Sequence, residues 1–370
     1  MKRIVLCADG TWNNRDHLID AKTNRRHPTN VTKLARAVLP TASDGTHQVV
    51  YYLEGLGIKE QDEGFSRYYL NAATGQGLKA NVRNLYRFLL YNYSPGDDLY
   101  FFGFSRGAYS VRTLAGFMNY AGLVPKDSDY FVPELYRCYD FRVQEGSLEW
   151  NRVFSKVGQR GTCPEIKLIG VWDTVGALQD AAHHDVGLND SIKHAYQALA
   201  IDERRVAFKP ELWQRPEGWT GDLEQAWFAG AHANVGGSYN PDGLANEALH
   251  WMCERAEGLG LELDWEYLSH YRPCFDSWSN DEAKTWDWLW GYHTRSIAQR
   301  SDTGETLHPS VMDRMGLAQS DFCPDSKCDR LEQRKYAPKN LLVVIDRLKL
   351  SRTERRKNAQ ACGPWRLRQR

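Results

Sequence analysis

The sequence lacks both a long hydrophobic run and an excess of charge of either sign. No stretch of eighteen apolar residues occurs in the 370 positions, which argues against a membrane-spanning helix. The apolar run at residues 4–8 is too short for a signal peptide. The 47 basic and 47 acidic residues balance, which argues against a general nucleic-acid binder, and we expect no nucleic-acid partner.

The sequence also lacks a recognisable metal-binding pattern. The eight cysteines are scattered, which is typical of reduced thiols and indicates a cytoplasmic protein. Cys323 and Cys328 have no second Cys/His pair at finger spacing, and the adjacent His183 and His184 fit a solvent-facing loop better than a metal pair. We therefore expect neither a metal nor a cofactor.

The most informative stretch that is present covers residues 97–118. A buried-strand run at 99–102 leads into Gly-Phe-Ser-Arg-Gly at 103–107, and apolar residues then follow at helical spacing to position 118. A strand, a sharp glycine-flanked turn and a helix form the context of a nucleophile elbow with Ser105 at its tip. The alternative is a glycine-rich turn whose serine is inert.

The rest of the chain alternates between apolar runs and helical patterns. Further strands are predicted at 4–8, 49–53, 166–172 and 225–229, with helices at 29–39, 80–93, 192–199 and 244–257. Residues 341–345 could add a closing strand. This alternation predicts an α/β protein with a mostly parallel central sheet and helices on both faces.

Polar residues follow four of the predicted strands, at Asp9 with Thr11, at Ser105, at Asp173 and at His232. Ligands of such sheets bind beyond the carboxyl ends of the strands. The order Ser…Asp…His is the one expected for α/β-hydrolases, with Ser105 as nucleophile, His232 as base and Asp173 orienting the base.

Each assignment has an alternative. Asp173 could be only a turn cap, and His232 could simply bond to the backbone. His308 competes for the role of base, because a loop from the carboxyl-terminal third could reach the site. The oxyanion would be bound by the backbone N–H of Arg106 and by an N–H near Thr11.

We expect a single domain over residues 1–350, followed by a basic tail at 351–370. Cap-like helical insertions are expected at 120–165 and 260–335. Two aromatic segments within them, 130–141 and 286–290, either form an apolar wall over Ser105 or are ordinary core helices.

Several blocks of the sequence together carry a resemblance to a known family. They are ADGTWN at 8–13, the long block at 75–117 that contains the elbow, GVWDTVGA at 170–177, ALAIDERRVAFKPELW at 198–213, WFAGAHANVGGSY at 227–239 and HPSVMDRM at 308–315. The chain resembles the uncharacterised α/β-hydrolase family that includes type VI secretion phospholipase effectors. The resemblance implies an α/β-hydrolase core, a triad on Ser105, Asp173 and His232, and lipase or phospholipase activity.

One position departs from that family, which usually has Asp where this chain has Asn234. Asn234, together with Asp9 at the end of the first strand and the alternative base His308, is a possible supporting residue of the site. We expect a serine ester hydrolase acting on a small ester or a lipid, with peripheral membrane contact and non-classical export if it is an effector. The alternative is a non-catalytic scaffold that binds a ligand or a protein.

Overall fold

The computed structural model describes residues 1–10, 18–20, 25–55, 75–158, 160–176, 186–280, 293–297, 302–316 and 336–341. Its elements in chain order are β1 (Arg3–Ala8), β2 (Leu18–Asp20), β3 (Arg25–Arg26), α1 (Asn30–Ala37), β4 (Gln48–Leu53), α2 (Gly75–Asn92), β5 (Asp98–Phe104), α3 (Arg106–Ala121), α4 (Val132–Asp140), α5 (Leu148–Phe154), β6 (Leu168–Trp172), β7 (His194–Ala200), β8 (Asp222–Phe228), α6 (His232–Gly236), α7 (Gly243–Gly258), α8 (Trp265–Leu268), β9 (Glu305–Leu307) and α9 (Pro309–Arg314). Short 3-10 helices lie at Lys126–Phe131, Ser155–Val157 and Val206–Phe208.

Seven of the strands form one sheet in the order β4-β1-β5-β6-β7-β8-β9, and every neighbouring pair is parallel. The predicted α/β class with a parallel sheet is thereby confirmed. β5 lies inside the sheet between β1 and β6, so the turn after it is flanked by the carboxyl ends of both neighbouring strands.

Both faces of the sheet are covered, as the continuous apolar strands require. Along β1, Ile4 and Leu6 pack in a core with α2 and α3, whereas Val5 and Cys7 pack in a second core with α1 and α7. All four side chains are fully buried. Successive strand residues point to opposite faces, so one strand supplies both cores.

One predicted element is wrong in type. Residues 192–199 were expected to form a helix, but β7 runs from His194 to Ala200 and pairs with β6 and β8. Three alanines in this segment favour a helix by intrinsic propensity. In the interior of the sheet, small side chains instead leave room for the helices on either face, so tertiary packing overrides the local preference.

Two aromatic residues of the segment 130–141 pack as in the second alternative, an ordinary core helix. Tyr136 and Tyr139 of α4 contact Phe117 of α3, with ring centroids 5.2 and 5.5 Å apart. Phe117 lies twelve positions after Ser105, which is roughly 18 Å along a helix. These side chains therefore belong to the core at the far half of α3 rather than to a wall over Ser105.

Most of the remaining expectations fall outside the described residues. These include the aromatic segment at 286–290, the tail at 351–370, His183, His184, Cys323, Cys328 and all but Leu341 of the proposed closing strand. Within the described ranges the sheet ends instead at β9, which pairs with β8. In the part of the chain that the structure describes, no helix is both long and apolar enough to cross a membrane.

Candidate active site

Ser105 sits at a sharp turn between β5 and α3. Its backbone has φ 57° and ψ −123°, a conformation that residues with a side chain rarely adopt. Its N–H donates to the carbonyl of Trp172 on β6, at 3.0 Å, which fixes the turn to the neighbouring strand. The strained turn expected of a nucleophile elbow is therefore present at the predicted position.

The two glycines that flank Ser105 are needed for space. A Cβ on Gly103 would lie 2.6 Å from backbone atoms of Ala108, and one on Gly107 would lie 2.1 Å from the carbonyl oxygen of Ala8. The second contact brings the start of α3 against the end of β1. The Gly-x-Ser-x-Gly spacing thus reflects two close backbone approaches, one on either side of the serine.

Arg106 is the first residue of α3 and directly follows Ser105. Burial lowers the pKa of its side chain to about 10. Thr11, the other expected oxyanion donor, lies outside the described residues. The described part of that loop ends at Gly10, whose N–H donates to Asp9 Oδ1 at 2.7 Å.

Asp9 forms a buried polar cluster at the carboxyl end of β1. Its Oδ2 accepts hydrogen bonds from the hydroxyls of Thr29, Thr32 and Tyr52 at 2.6, 3.0 and 2.5 Å. Burial raises the pKa of Asp9, although these hydrogen bonds counteract the effect. Asp9 therefore anchors the strand end and the residue that follows it.

Asp173 and His232 come together at the carboxyl ends of β6 and β8. His232 Nδ1 lies 2.6 Å from Asp173 Oδ2, and both side chains are buried. Asp173 follows β6 with φ 41°, a left-handed conformation that Asp tolerates better than most residues. Its own N–H donates to the carbonyl of Ala198 on β7 at 2.8 Å, so the turn is held by the adjacent strand.

The carboxylate of Asp173 accepts from three other donors besides His232. Arg295 donates to Oδ1 from Nη1 at 2.6 Å and to Oδ2 from Nη2 at 3.0 Å, and the N–H of Ala200 reaches Oδ1 at 3.0 Å. Burial alone would raise the pKa of Asp173, but the charge of Arg295 and the hydrogen bond with His232 hold it well below its ordinary value. An ionised carboxylate only accepts, so His232 Nδ1 carries the donated proton and Nε2 is left as the acceptor.

Two aromatic rings and one carboxylate hold His232 from its other sides. The rings of Phe104 and Phe208 lie 4.6 and 4.8 Å from the imidazole. The backbone N–H of His232 donates to Glu203 Oε2 at 3.2 Å, and Glu203 is itself paired with Arg205. Burial works to raise the pKa of Glu203, yet its hydrogen bonds and ion pair with Arg205 lower it.

Phe104 connects the two halves of the site, because it directly precedes Ser105 and contacts His232. Within the described residues, no hydrogen bond links Ser105 with His232. Catalytic hydrogen bonds are often long without substrate and shorten in the complex. The structure thus brings Asp173 and His232 into direct contact, with the elbow beside them.

His308 and Asn234 occupy other positions. His308 is the N-cap of α9, where its Nδ1 contacts the Ser310 hydroxyl at 2.8 Å and its ring stacks on Phe228 at 4.3 Å. Burial and the charge of Arg255 lower the pKa of His308 to about 3. Asn234 Oδ1 accepts from the N–H groups of Ala231 and Asn280, at 3.2 and 3.0 Å.

Three neighbours of the site were not singled out from the sequence. Glu203 and Phe208 lie in the block at 198–213 that carries the family resemblance, so this block was a usable signal. Arg295 lies in the irregular last third and belongs to no motif, and its partner is 122 positions away. Nothing local in the sequence identifies it.

Comparison with known proteins gives one family and several relatives. The model of the family described as type VI secretion system phospholipase effector Tle1-like, catalytic domain, matches residues 2–255. An uncharacterized protein of Saccharomyces cerevisiae, YEL023C, is 28% identical over 228 residues, which cover 56% of this chain and 32% of that protein.

Two solved structures overlap with the chain at low identity. The crystal structure of an uncharacterized protein from Pseudomonas aeruginosa has a TM-score of 0.47 and 16% identity, covering 74% of this chain and 49% of that one. The structure of the Tle1 effector bound to the VgrG spike has a TM-score of 0.35 and 20% identity, covering 65% and 52%. Both TM-scores are below 0.5, so these overlaps support no argument about residues or activity.

The chain spans about half the length of these solved chains and about a third of the yeast protein. The family match, in contrast, covers well over half of the 370 residues, including Ser105, Asp173 and His232. The chain therefore belongs to the family of Tle1-like phospholipase effector catalytic domains of the type VI secretion system.

Proposed function

We propose that this protein is a serine hydrolase that cleaves acyl esters of phospholipids. The observation that carries the proposal is the 2.6 Å contact between His232 Nδ1 and Asp173 Oδ2, next to the strained turn at Ser105. A serine on such a turn, a histidine and a buried acid are the groups that acyl transfer requires. Membership of a phospholipase effector family supports a lipid as the substrate.

In the proposed reaction, Ser105 Oγ attacks the ester carbonyl while His232 Nε2 takes the hydroxyl proton. The tetrahedral intermediate collapses when the C–O bond to the alcohol breaks and His232 returns its proton to that oxygen. Water then attacks the acyl-enzyme, with the same histidine as base, and releases the fatty acid and Ser105. Asp173 keeps Nδ1 protonated and stabilises the imidazolium.

The oxyanion is proposed to lie at the start of α3. Arg106 is the first residue of this helix, and the helix N-terminus favours negative charge. An N–H near Thr11 is the proposed second donor, and the contact between Gly107 and the end of β1 supports this by bringing that loop to the elbow. Loss of one such donor typically costs about 10²–10³ in rate.

The environment of His232 favours an apolar substrate group. The half-buried ring of Phe208 lies 4.8 Å from the imidazole, so a bound acyl chain would replace water beside aromatic surface. A lipid substrate implies transient contact with a membrane surface. Export from the cytoplasm, as its family's name suggests, belongs to the same proposal.

The decisive experiment compares Ser105→Ala with Ser110→Ala. Ser110 is a buried serine in the first turns of α3, and its hydroxyl donates to the carbonyl of Arg106 at 3.0 Å. Turnover of phospholipid vesicles and p-nitrophenyl esters is measured, together with labelling by a fluorophosphonate. Ser105→Ala should lose activity by at least ~10³-fold and lose the label, whereas Ser110→Ala should keep both.

A second pair tests the base. His232→Ala should lose at least ~10³-fold in turnover, while His308→Ala should cost about tenfold or less. Retention of a tenth of the activity by Ser105→Ala would exclude the serine mechanism. A wild-type protein that neither turns over any ester nor takes the label would favour the non-catalytic scaffold.

A further inference from the structure

Arg295 makes an unusual set of contacts for a side chain far from the predicted motifs. It is 2% exposed, and its two Nη atoms donate to both oxygens of Asp173, at 2.6 and 3.0 Å. The same two nitrogens donate to the carbonyls of Ala200 and Phe208 at 2.8 and 2.6 Å. A planar guanidinium is well suited to such a two-point contact with a carboxylate.

We propose that Arg295 is a positioning residue that neutralises the charge of Asp173, so that His232 remains an unprotonated base at lower pH. This inference rests on the proposed hydrolase function, in which His232 takes the proton of Ser105. It assigns a role to a residue that touches no reacting atom and acts through Asp173.

The charges around His232 give the direction of the effect. Among the described residues, the carboxylates in hydrogen-bond contact with His232 are Asp173, through Nδ1, and Glu203, through the backbone N–H. Each is paired with an arginine, Asp173 with Arg295 and Glu203 with Arg205. With a neutral imidazole these four charges sum to zero, and a proton on His232 adds an uncompensated positive charge in a buried site.

Without Arg295, the same site would carry one net negative charge. A carboxylate that no longer shares its oxygens with a guanidinium attracts the second imidazole proton more strongly. His232 would then be protonated, and unable to act as a base, at pH values where the ring of the wild-type protein is unprotonated. The acidic limb of the pH–rate profile would shift upward.

The second effect of Arg295 is to hold the groups that orient the ring. By bonding the carbonyls of Ala200 and Phe208, it ties the end of β7 and the 3-10 helix at Val206–Phe208 to the triad acid. Phe208 lies edge-on to His232 at 4.8 Å. The backbone of Arg295 is itself fixed, because Asn340 Nδ2 donates to its carbonyl at 3.1 Å.

The test uses the full chain with Arg295→Gln, which keeps N–H donors but removes the charge, and Arg295→Lys, which restores the charge. Two readouts are taken from pH 4 to pH 9. One is kcat/KM on a soluble ester, and the other is the titration of the His232 ring by NMR of 15N-histidine-labelled protein, assigned with a His232→Gln sample. Arg295→Met replaces the Gln variant if thermal unfolding shows that the latter does not fold.

In Arg295→Gln we expect the acidic limb and the NMR midpoint to move upward together by about one pH unit or more, as for loss of a neighbouring charge. Arg295→Lys should return both to within about 0.3 unit of the wild type, whatever its kcat. The matched control is Arg112→Met, since Arg112 is also 2% exposed but bonds the carbonyls of Val186 and Glu211. It should lower stability and leave the midpoint unchanged.

An unchanged or lowered NMR midpoint in Arg295→Gln would overturn the proposal, and so would equal shifts in the Gln and Lys variants. The NMR readout does not depend on turnover. If the wild type hydrolyses no ester, the hydrolase function fails while the ring titration still decides the role of Arg295. If turnover depends on Ser105 but the midpoint does not move, only the inference about Arg295 fails.

Discussion

Replacement of Asp173 by Asn should affect both catalysis and stability, because the carboxylate contacts both His232 and Arg295. The side chain is fully buried and accepts four hydrogen bonds, one from His232, one from Ala200 and two from Arg295. Asn has nearly the same shape, so the backbone has no steric reason to move. What changes is the charge and the number of acceptor atoms.

Two losses of different size follow from the contacts of Asp173. The amide does not hold His232 in the tautomer with Nδ1 protonated, which should lower kcat by up to about 10⁴. Arg295 is left as a buried cation without its counter-charge, and breaking a buried pair in this way typically costs about 3–5 kcal/mol of folding free energy. Tm should fall by about 5 °C for a chain of this size.

The double variant Asp173→Asn/Arg295→Met distinguishes the two effects. Replacing Arg295, which would otherwise be a buried cation without its counter-charge, should recover most of the lost stability. An apolar replacement for a buried ion pair is often tolerated. The activity should stay lost, because His232 still lacks its acceptor. Thermal unfolding and turnover of a soluble ester on the same samples measure both.

The dependence of stability on pH gives a further check on the same residue. The pKa of Asp173 is held below its ordinary value in the fold, so its ionised form stabilises the protein above about pH 4. That contribution is lost as the pH falls through the lower, folded-state pKa. The stability gap between wild type and Asp173→Asn should therefore be full at pH 7 and shrink below about pH 4. Full activity in Asp173→Asn, or a gap that grows with acid, would refute the reasoning.

Three other changes test the site and its supports. Gly107→Ala should destabilise the fold by about 1–3 kcal/mol and impair turnover, because its Cβ would lie 2.1 Å from the carbonyl oxygen of Ala8. Asn234→Asp should keep activity within a few-fold of wild type, because a carboxylate can accept the same two N–H bonds. Glu247→Gln should raise the free energy of unfolding by about 1 kcal/mol or more at pH 8 and hardly change it at pH 4. The reason is that burial and the charges of Asp313 and Glu254 raise the pKa of Glu247 to about 8. Between about pH 4.5 and pH 8, Glu247 keeps its proton in the folded state but loses it in the unfolded state. The stability of the wild type therefore falls as the pH rises through this range.

Chemical denaturation and ester turnover check these outcomes, each against a matched variant. Gly258→Ala, where a Cβ meets nothing within 4 Å, should leave stability unchanged or slightly higher. Glu254→Gln, which removes one of the charges that raise the pKa of Glu247, should weaken the pH dependence only in part, whereas Glu247→Gln should abolish it. Activity that appears only in Asn234→Asp would mean that the acid of the triad belongs at position 234. Unchanged stability in Gly107→Ala would contradict the close approach of α3 to β1.

The elbow and the sheet could be predicted because their signals are local. Gly103, Ser105 and Gly107 lie within five residues, and the strands before and after them are short apolar runs bounded by turns. The spacing of the glycines indicates that another part of the backbone lies close to the turn, whichever part that is. The elbow could therefore be predicted without knowing that Gly107 contacts Ala8. The parallel sheet follows from the alternation of strands and helices alone.

The sequence by itself determined the fold class, the elbow and a short set of candidate acids and bases, since each depends on neighbours a few residues apart. Only the tertiary structure decided the contacts between them. It brings Asp173 and His232, 59 positions apart, within 2.6 Å, whereas His308 caps another helix. In the fold, the alanine-rich segment at β7 is a strand. Arg295 binds Asp173, which lies 122 positions away in the chain. Chain distance carries no information about such pairs, because packing and buried charge, not local propensity, select them.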